Sequence, residues 1–463
     1  MKGTIISTSL IWFRDDLRVT DNPALLAACN AGNAVALYVL DEESPGVRPL
    51  GGAGRWWLHH ALEDLRLELE RLGIPLILRR GAGTGVFSDV MDAVGATSAF
   101  WNRRYGGAER AVDTSAKEWA VERGLHAESF QASLLHEPWQ ISTGQGTPYQ
   151  VFTPFWRALS ALNFRAPLDA PDAGHGFLGA LPASDRLGDW SLLPDAPDWA
   201  GGLRTAWDPT VAGGREALAD FLDGVVDDYA ADRDRPDKPG TSRISPYLRW
   251  GQLSPFEVWH SLTDTRSDGA AVFASQLGWR EFCWHQLFHH PTLATDNLRP
   301  RFDDYPWRWP SSKSEGSAVE SSANTMLHAW QKGCTGIPLV DAGQRELWTT
   351  GFMHNRVRMV AASFLVKNLG IHWRVGEEWF WDTLVDADAA SNPANWQWVA
   401  GSGADASPFF RIFNPLTQAR KFDPESKYVS QWVPEFLLPG YPEPIVDLLQ
   451  TRREALAAYD LTK

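Results

Sequence analysis

One stretch near the end of the chain concentrates groups that could hold a polar ligand beside large aromatic surfaces. The segment DADAASNPANWQW, Asp386 to Trp398, contains two carboxylates, two asparagines and two tryptophans. Short Asp, Asn and Ser side chains disfavour helix interiors because they bond to their own backbone, and Asn392-Pro393 is a turn signal. The composition therefore predicts a helix end or a loop here, not an element of the packed core.

Two further stretches could contact phosphate groups. In GTSRISPYLRWGQLS, Gly240 to Ser254, a glycine, hydroxyls and an arginine precede a helix. Such a segment offers backbone N–H groups and a fixed cation to a pyrophosphate, although an ordinary capped helix explains it equally well. The stretch GAGTG, Gly81 to Gly85, lacks the G-x-G-x-x-G spacing, and the chain contains no GKS or GKT motif. For Gly81 to Gly85 we expect a turn.

Cysteine and histidine usage argues against metal and disulfide chemistry. The cluster Cys283, His285, His289 and His290 has no partner cysteine or carboxylate group at ligand spacing, so we predict no metal site. The three cysteines are far apart and odd in number, which fits a reducing cytosol and excludes a disulfide framework.

Composition sets further limits on function. The chain of 463 residues carries 43 Lys and Arg against 57 Asp and Glu, a net charge of -14, which opposes unspecific binding to nucleic acid but permits a local arginine-rich face. No apolar run is long enough to span a membrane, and the first residues do not form a secretory signal. We therefore predict a cytoplasmic enzyme with no membrane partner. Its 24 tryptophans exceed what core packing demands.

The elements that must position these groups fall into two parts. Apolar runs at 9–13, 34–40, 74–80 and 98–102 predict buried strands, and helical patterns at 23–32, 55–72 and 109–123 lie between them. This alternation predicts an α/β, doubly wound parallel sheet (Rossmann-like) over residues 1–133. Residues 134–205 are rich in Pro, Asp, Gly and Ala and predict a long surface linker. Residues 206–463 predict an all-helical domain.

Taken together, the motifs identify a family. QLGWREF (Gln276–Phe282), TGFMHNRVRM (Thr350–Met359) and FFRIFNP (Phe409–Pro415) accompany the two stretches at 240–254 and 386–398. In this order they resemble the photolyase/cryptochrome family of light-driven flavoproteins, most closely the cyclobutane pyrimidine dimer (CPD) photolyases. The resemblance runs from Trp12 to Phe436. It implies an N-terminal α/β domain, a long linker and a C-terminal helical FAD-binding domain.

The resemblance assigns the cofactor residues. It implies that Asp388 accepts a hydrogen bond from the flavin edge, that Asn392 faces flavin N5 and that Asp386 pairs with Arg358. An amide can serve a reduced N5 without adding negative charge. The remaining cofactor-binding positions that it implies are Tyr229, Thr241, Ser242, Arg243, Ile244, Ser245, Gln276, Arg280 and Asn355.

The tryptophans take two roles in the family. By resemblance Trp396 is the electron donor nearest the flavin and Trp373 the middle relay, with Trp307 or the competing Trp309 at the surface. Trp279 and Trp398 would stack on a lesion that is flipped out of the duplex.

The resemblance also implies the substrate, which is UV-damaged DNA. We expect the protein to act as a monomer. Asn355 and Met359 match a cyclobutane dimer pocket, and the DNA- or lesion-proximal positions are Arg280, Arg356 and Arg411. Gln276 departs from the pattern, because a Glu is usual there and Gln is more typical of enzymes for the (6-4) photoproduct. A (6-4) or dual-specificity enzyme and a cryptochrome photoreceptor therefore remain alternatives.

A second, light-harvesting chromophore is less well defined by the sequence. Family members often hold a folate or a deazaflavin in or beside the N-terminal domain. Glu109 matches an acidic folate contact, but the Asn expected before it is Ala108. A folate is weakly favoured over a deazaflavin, and no antenna at all is a further alternative.

Overall fold

A five-stranded sheet forms the first part of the chain. The computed structural model describes residues 7–263, 267–310, 318–406 and 410–462. Phe409, in one of the motifs above, lies outside the described residues. All strand pairs are parallel, and their order across the sheet is β3-β2-β1-β4-β5. The predicted doubly wound sheet is confirmed. Its strands are β1 (Thr8–Phe13), β2 (Asn33–Leu40), β3 (Leu76–Arg80), β4 (Ser98–Asn102) and β5 (His126–Phe130).

Three of the four helices between the strands lie within three residues of their predicted bounds. Asn22 caps the first helix by accepting a hydrogen bond from the backbone N–H of Leu25 at 3.0 Å, and Pro23 occupies its first turn. The predicted turn at GAGTG is only partly correct, because a helix that was not predicted begins at Gly83. These helices are α1 (Pro23–Ala31), α2 (Gly52–Leu72), α3 (Gly83–Val94) and α4 (Gly107–Glu122).

The interval predicted as a surface linker is more structured than its composition indicates. It contains the helix α5 (Phe152–Leu159), a 3₁₀ turn at Leu187–Trp190 and the start of α6 (Gly201–Ala206). Phe152, Phe155 and Leu159 of α5 are buried in a small core with Phe282. Part of the interval therefore packs into the molecule, and the domain boundaries drawn from composition stay a prediction.

The rest of the described chain is helical, as predicted. A kink at Asp223 and Gly224 separates α7 from α8, and a π-helical turn at Phe364–Asn368 follows α14. The helices are α7 (Val211–Asp220), α8 (Val226–Asp232), α9 (Ser245–Arg249), α10 (Pro255–Thr263), α11 (Asp268–His289), α12 (Ala318–Gln331), α13 (Pro338–Thr350), α14 (Asn355–Ser363), α15 (Trp373–Thr383), α16 (Ser391–Ala400), α17 (Pro415–Phe422), α18 (Lys427–Trp432) and α19 (Leu448–Asp460).

Two hydrophobic cores support the site. The larger core begins under the sheet at residues such as Ile11 and continues without a break to Tyr229 and Phe273 among the helices. The second core surrounds Trp373 and Trp396. Within the described ranges, no helix is long and apolar enough to cross a lipid bilayer.

Candidate cofactor and substrate site

The predicted site residues meet in one cavity. A cavity of about 480 Å³ opens among α8, α11, α14, α16 and the segment before α9. Its volume lies in the range of pockets that hold a small molecule or cofactor. Of the residues predicted for the cofactor, the relay and the substrate, all line it except Trp307, Trp309, Trp373, Arg356 and Arg411.

The charged side chains of the cavity wall are mostly cationic. Five arginines line it, against two carboxylates, those of Asp386 and Asp388. Four of the five arginines also pair with carboxylates, so the local excess of positive charge is smaller than this count. The net charge of -14 of the whole chain hides it. A cavity of this kind favours an anionic ligand such as a dinucleotide or a nucleic acid. The arginines are Arg233, Arg243, Arg249, Arg280 and Arg358.

A backbone turn precedes α9 at the edge of the cavity. Arg243 has a φ of 53°, in the left-handed region that side chains other than Gly rarely adopt. Its guanidinium lies over the rings of Trp207 and Phe352, at 4.4 Å and 5.2 Å from their centroids. Burial lowers the pKa of Arg243. The left-handed turn can direct backbone N–H groups towards an anion, as the phosphates of a dinucleotide require.

One buried carboxylate is fully engaged by protein groups. Asp386 accepts hydrogen bonds from Arg358 at 3.1 Å and 2.9 Å, in the pairing that the resemblance implies. Ser245 Oγ donates to the same carboxylate at 2.7 Å. Arg358 Nε also donates to the backbone oxygen of Met353 at 2.6 Å, which fixes the plane of the guanidinium. Asp386 is therefore compensated and adds no net negative charge to the cavity.

Asp388 stands at the start of α16. Its Oδ1 accepts hydrogen bonds from the backbone N–H groups of Ala390, at 2.8 Å, and Ser391. These bonds hold the segment 386–390 as a loop and begin the helix at Ser391. The predicted helix end or loop is therefore correct for 386–390 only, because residues 391–398 are helical and Trp396 belongs to a buried core. The two bonds leave the Oδ2 atom of Asp388 as the acceptor suited to a ligand N–H.

The orientation of Asn392 depends on a chain of polar contacts across the molecule. Asn392 Nδ2 donates to the backbone oxygen and to Oε1 of Glu377, at 3.0 Å and 2.8 Å. Glu377 in turn accepts hydrogen bonds from both Nη atoms of Arg48, at 2.7 Å and 2.9 Å. Burial raises the pKa of Glu377, and the Arg48 guanidinium opposes part of that shift. Because the amide N–H groups are taken by Glu377, the Oδ1 of Asn392 is left to accept from a ligand.

The tryptophans predicted to form a relay differ in environment. Trp396 is buried, and its Nε1 has no hydrogen-bond partner among the described residues. Gly376 makes room for this indole, because a Cβ at that position would lie 2.1 Å from Cη2 of Trp396. Trp373 is also buried and donates to Asn297 Oδ1 at 2.9 Å.

His372 lies between Trp373 and the surface. Its ring centroid is 5.4 Å from Trp373, 5.0 Å from Trp307 and 4.1 Å from Trp309. Burial lowers the pKa of His372 to about 3, so the imidazole is neutral at pH 7. Trp307 is partly buried and Trp309 is 48% exposed, and both contact His372. Trp307 and Trp309 therefore both remain candidates for the outer end of the relay.

The proposed lesion-facing tryptophans are each backed by a phenylalanine. Trp279 stacks on Phe152 with ring centroids 3.7 Å apart and an interplanar angle of 9°. Trp398 stacks more loosely on Phe413 at 6.4 Å, and the Arg411 guanidinium lies 5.4 Å from its ring. Asn355 and Met359 sit one helical turn apart on α14 and contact each other at 3.9 Å. Arg411 therefore lies beside the site, although it does not line the cavity.

Two of the predicted DNA-proximal arginines already have protein partners. Arg356 pairs with Asp234 and lies over the ring of Phe422 at 4.4 Å. Arg280 donates to the backbone oxygen of Ser133 at 2.8 Å and to Glu281 at 3.1 Å. Their positive charge is therefore partly compensated before any DNA binds.

Several residues of the site were not found from the sequence. Arg233 lines the cavity one helical turn after Tyr229, and that i, i+4 spacing was the available signal. Arg249 pairs with Asp15, which follows β1, at 2.7 Å. It also donates to the backbone oxygen of Ala387 at 2.9 Å. Arg48 and Glu377 carried no local signal, because they come together only in the folded chain.

Of the histidines considered as metal ligands, His285 has a hydrogen-bond partner in the protein. His285 Nε2 accepts a hydrogen bond from the backbone N–H of Tyr149 at 3.1 Å. Within the described ranges, the side chains with ligand atoms close enough to share an ion are His59, His60 and Glu63, on α2 and outside the cavity lining.

Comparisons with known proteins agree with the geometry. The family model described as DNA photolyase matches residues 9–172, and the model for the FAD-binding domain of DNA photolyase matches residues 273–438. A deoxyribodipyrimidine photo-lyase of Agrobacterium fabrum is 45% identical, with 98% of each chain covered. Cryptochrome-1 of Arabidopsis thaliana is 35% identical over 92% of this chain and 63% of its own length.

A solved structure shows the same fold. The crystal structure of a bacterial class III photolyase from Agrobacterium tumefaciens has a TM-score of 0.92 at 43% identity, covering 100% of this chain and 98% of that one. The C-terminal helices are an FAD-binding domain, and the cationic cavity, the compensated Asp386 and the open Oδ1 of Asn392 fit a flavin dinucleotide. The chain belongs to the photolyase/cryptochrome family.

Proposed function

We propose that this protein is a deoxyribodipyrimidine photo-lyase that uses light to repair cyclobutane pyrimidine dimers in DNA. When bound in reduced form, FAD supplies the light-excited electron that opens the cyclobutane ring and recovers it afterwards. The observation that carries the proposal is the single cavity that joins a cationic cofactor wall to the aromatic wall of Trp279 and Trp398. Such a cavity can hold the electron donor and the lesion side by side.

The cofactor wall has two tasks, binding and orientation. The arginines and the left-handed turn at Arg243 attract the phosphates, and Asp388 Oδ2 and Asn392 Oδ1 accept hydrogen bonds from the flavin ring. Glu377 and Arg48 hold the Asn392 amide in the orientation that presents oxygen, which suits a protonated N5. The wall favours the reduced cofactor, because the oxygen of a neutral amide adds no negative charge beside it.

The lesion wall recognises two adjacent bases rather than one. Trp279 and Trp398 offer aromatic faces to a flipped dimer, and base–aromatic stacking contributes about 1–3 kcal/mol per base. Asn355 offers an amide and Met359 a soft apolar surface beside it. The N–H groups of Gln276 donate to a dimer carbonyl that gains negative charge, which stabilises the reacting anion.

Trp396, Trp373 and a surface tryptophan would return the cofactor to its active state. Trp396 lines the cavity and Trp373 lies in the same buried core. A tryptophan is readily oxidised, so successive indoles can pass an electron from an external reductant to the flavin. These residues maintain the enzyme and take no part in ring opening.

DNA binding would come from arginines at the cavity rim, despite the acidic chain. Arg356 and Arg411 lie near the two walls, and the binding of such residues to phosphates releases counterions. The Arg356–Asp234 pair makes a sharp test. Asp234→Asn should free Arg356 and strengthen binding to damaged and undamaged DNA alike, whereas Arg356→Ala should weaken both. Removal of one arginine–phosphate interaction should make the slope of log K against log salt less steep by about 0.9.

Gln276 favours one further candidate, a (6-4) or dual-specificity enzyme. That reaction needs a proton donor for a leaving oxygen, and an amide cannot supply one. His354 is the histidine of the TGFMHNRVRM motif. Burial lowers its pKa to about 4, so the imidazole is neutral at pH 7, and its Nδ1 accepts a hydrogen bond from the backbone N–H of Arg356 at 3.2 Å. The wall therefore favours the cyclobutane lesion. A cryptochrome-type photoreceptor is the other candidate, on the strength of the Arabidopsis relative.

We further propose a cytoplasmic monomer with at most one additional chromophore. The three cysteines are all unpaired, which supports a reducing compartment. Glu109 lies in the first turn of α4 with its carboxylate folded over Gly106, and a folate beside it is the weakly favoured antenna. Sedimentation and the absorption spectrum of chromophores released by heat test these two proposals.

The decisive experiment combines a spectrum with a repair assay. Purified protein should carry about one non-covalent FAD per chain, and a folded protein that cannot be reconstituted with FAD would contradict the proposal. Oligonucleotides with a single cyclobutane dimer should be restored by the reduced protein in blue light and not in the dark. Absence of light-dependent repair would overturn the enzyme assignment.

A further inference from the structure

The indole of Trp279 is one of three nearly parallel aromatic rings. Phe152 lies flat against it, with centroids 3.7 Å apart and planes 9° from parallel. Trp156, one turn further along α5, is parallel to Phe152 within 9° at 6.3 Å. One face of Trp279 is therefore covered by a residue of the interval 134–205, and the opposite face is the one left for the cavity.

The helix that carries Trp279 is shaped to receive this stack. Gly278 has no side chain, and a Cβ there would lie 2.3 Å from Cε3 and 2.6 Å from Cζ3 of Trp156. Any larger residue would push α5 away from α11. The close approach at Gly278 thus sets the distance at which Phe152 meets the neighbouring Trp279.

The chain just before α5 is fastened to α11 as well. Both backbone polar groups of Tyr149 are used, since its N–H donates to His285 Nε2 at 3.1 Å and its oxygen accepts from Gln286 Nε2 at 2.7 Å. Burial lowers the pKa of His285 to about 3, which keeps Nε2 an acceptor at neutral pH. The backbone oxygen of Gln150 accepts from the N–H of Asp405 at 3.2 Å, beside the cavity-lining Ala404. Helix α5 therefore has a fixed place relative to the cavity.

We propose that Phe152 is a positioning residue for lesion recognition, which holds the Trp279 indole in one plane so that its free face receives the flipped dimer. This inference rests on the proposed repair function. A lone indole at a cavity wall must be ordered when a base stacks on it, and that ordering weakens binding. Because Phe152 already orders Trp279 in the free protein, less of the stacking free energy is lost to ordering on binding, and the preference for the lesion increases. The interval that composition predicts as a linker thereby becomes part of the substrate site.

The test compares two phenylalanines of one helix. Phe152→Leu keeps an apolar side chain but removes the flat ring, and we expect the ratio of affinities for dimer-containing and undamaged DNA to fall about three- to tenfold, the factor that corresponds to ordering one interfacial side chain on binding. Affinity for undamaged DNA, FAD content and the rate of flavin photoreduction should not change. Phe152→Tyr retains the ring and should show the wild-type ratio of affinities.

Phe155→Leu is the matched control. Phe155 is fully buried in the same small core, and its ring contacts include His285 and Phe282 but, within the described ranges, not Trp279. This variant should lower the melting temperature as Phe152→Leu does, without changing the affinity ratio. All assays are run below the onset of unfolding, and Phe152→Met replaces Phe152→Leu if the latter does not retain FAD.

The outcomes separate the inference from the function on which it rests. A wild type without preference for dimer-containing DNA contradicts the repair function itself. A wild type with that preference, lost in Trp279→Ala but kept in Phe152→Leu, leaves the function standing and overturns the role of Phe152. An equal loss in Phe155→Leu also overturns it, because the effect would then be one of general packing.

Discussion

Arg233 Nη2 donates a hydrogen bond to Oε1 of Gln276 across 3.0 Å at the wall of the cavity. An arginine has no acceptor atom, so the amide oxygen must face it and the amide N–H groups must point elsewhere. Gln276 Nε2 donates to Ser275 Oγ at 3.2 Å and, at the longer distance of 3.5 Å, to the backbone oxygen of Val272. Gln276 is therefore an oriented donor, and the arginine that orients it was not found from the sequence.

This pairing changes what Gln276→Glu should do. The introduced carboxylate would face Arg233 and stay ionised at neutral pH, so it would not become a proton donor. We expect the quantum yield of dimer repair to change by less than about tenfold, the factor that corresponds to one ordinary hydrogen bond. In the double variant Gln276→Glu with Arg233→Met, the pKa of the carboxyl group should rise, and the repair yield should fall as pH increases.

Both lesions should be assayed on these variants. Efficient repair of the (6-4) photoproduct by the wild type would contradict the cyclobutane specificity. Repair of neither lesion by fully reduced protein would favour the photoreceptor.

Trp396→Phe should leave FAD bound but strongly slow its photoreduction by an external reductant, because phenylalanine is far harder to oxidise than tryptophan. The matched control is Trp330→Phe. Trp330 is buried and contacts Trp396 edge-on at 6.2 Å, but it has no place in the predicted relay. Equal slowing in both variants would show that packing around Trp396 matters rather than its oxidation, and unchanged kinetics in Trp396→Phe would exclude the relay through Trp373.

Arg48→Ala should make the orientation of the Asn392 amide less fixed, because Arg48 acts on it through Glu377. Without the guanidinium, burial raises the pKa of Glu377 further, and the protonated acid can donate to Asn392 Oδ1 instead of accepting from Nδ2. We expect FAD to remain bound and the reduced cofactor to reoxidise faster in air, with Arg48→Lys intermediate. The free energy of unfolding should fall by less than the about 3–5 kcal/mol typical of breaking a fully buried pair, because the Arg48 side chain is 32% exposed. Identical reoxidation rates in wild type and Arg48→Ala would contradict the orienting role.

Acid should destabilise the protein before most carboxylates are protonated. Burial lowers the pKa of His285 and His372 to about 3, whereas in the unfolded chain each would titrate near 6.5. Between those values the unfolded state binds more protons, so stability rises with pH and is lost as pH falls. His285→Gln should reduce the slope of unfolding free energy against pH in that window by at most about 1.4 kcal/mol per unit. An unchanged slope in His285→Gln would contradict the buried neutral state.

Much of the architecture was accessible from the sequence because its signals are local. The strands β1 to β4 are continuous apolar runs, and the cap at Asn22 and Pro23 marks a helix start. The missed strand β5 has exposed His126 and Glu128 and a single buried residue, Ser129, because it lies at the edge of the sheet. Its alternation of polar and apolar residues was the only available signal.

The residues of the site also fall into two groups, those with a local sequence signal and those without one. The residues carried by short motifs, such as Thr241 to Ser245, do line the cavity. The partners that orient them could not be predicted, since Arg48 and Glu377 are separated by 329 positions and Phe152 lies in a segment whose composition indicates a surface linker. Pairing between distant positions is a property of the packed chain and leaves no local pattern.

One hydrophobic core lies beneath both the sheet and the cavity, so a ligand in the cavity should also stabilise the sheet. Ile11 of β1 and Phe273 at the cavity wall belong to the same packed cluster, so opening of either end exposes apolar surface of the other. A ligand that binds only the folded state stabilises every part that opens with it. FAD should therefore slow hydrogen exchange at the amides of β1, although no residue of β1 lines the cavity. Protection confined to the helices around the cavity would show that the two ends open independently.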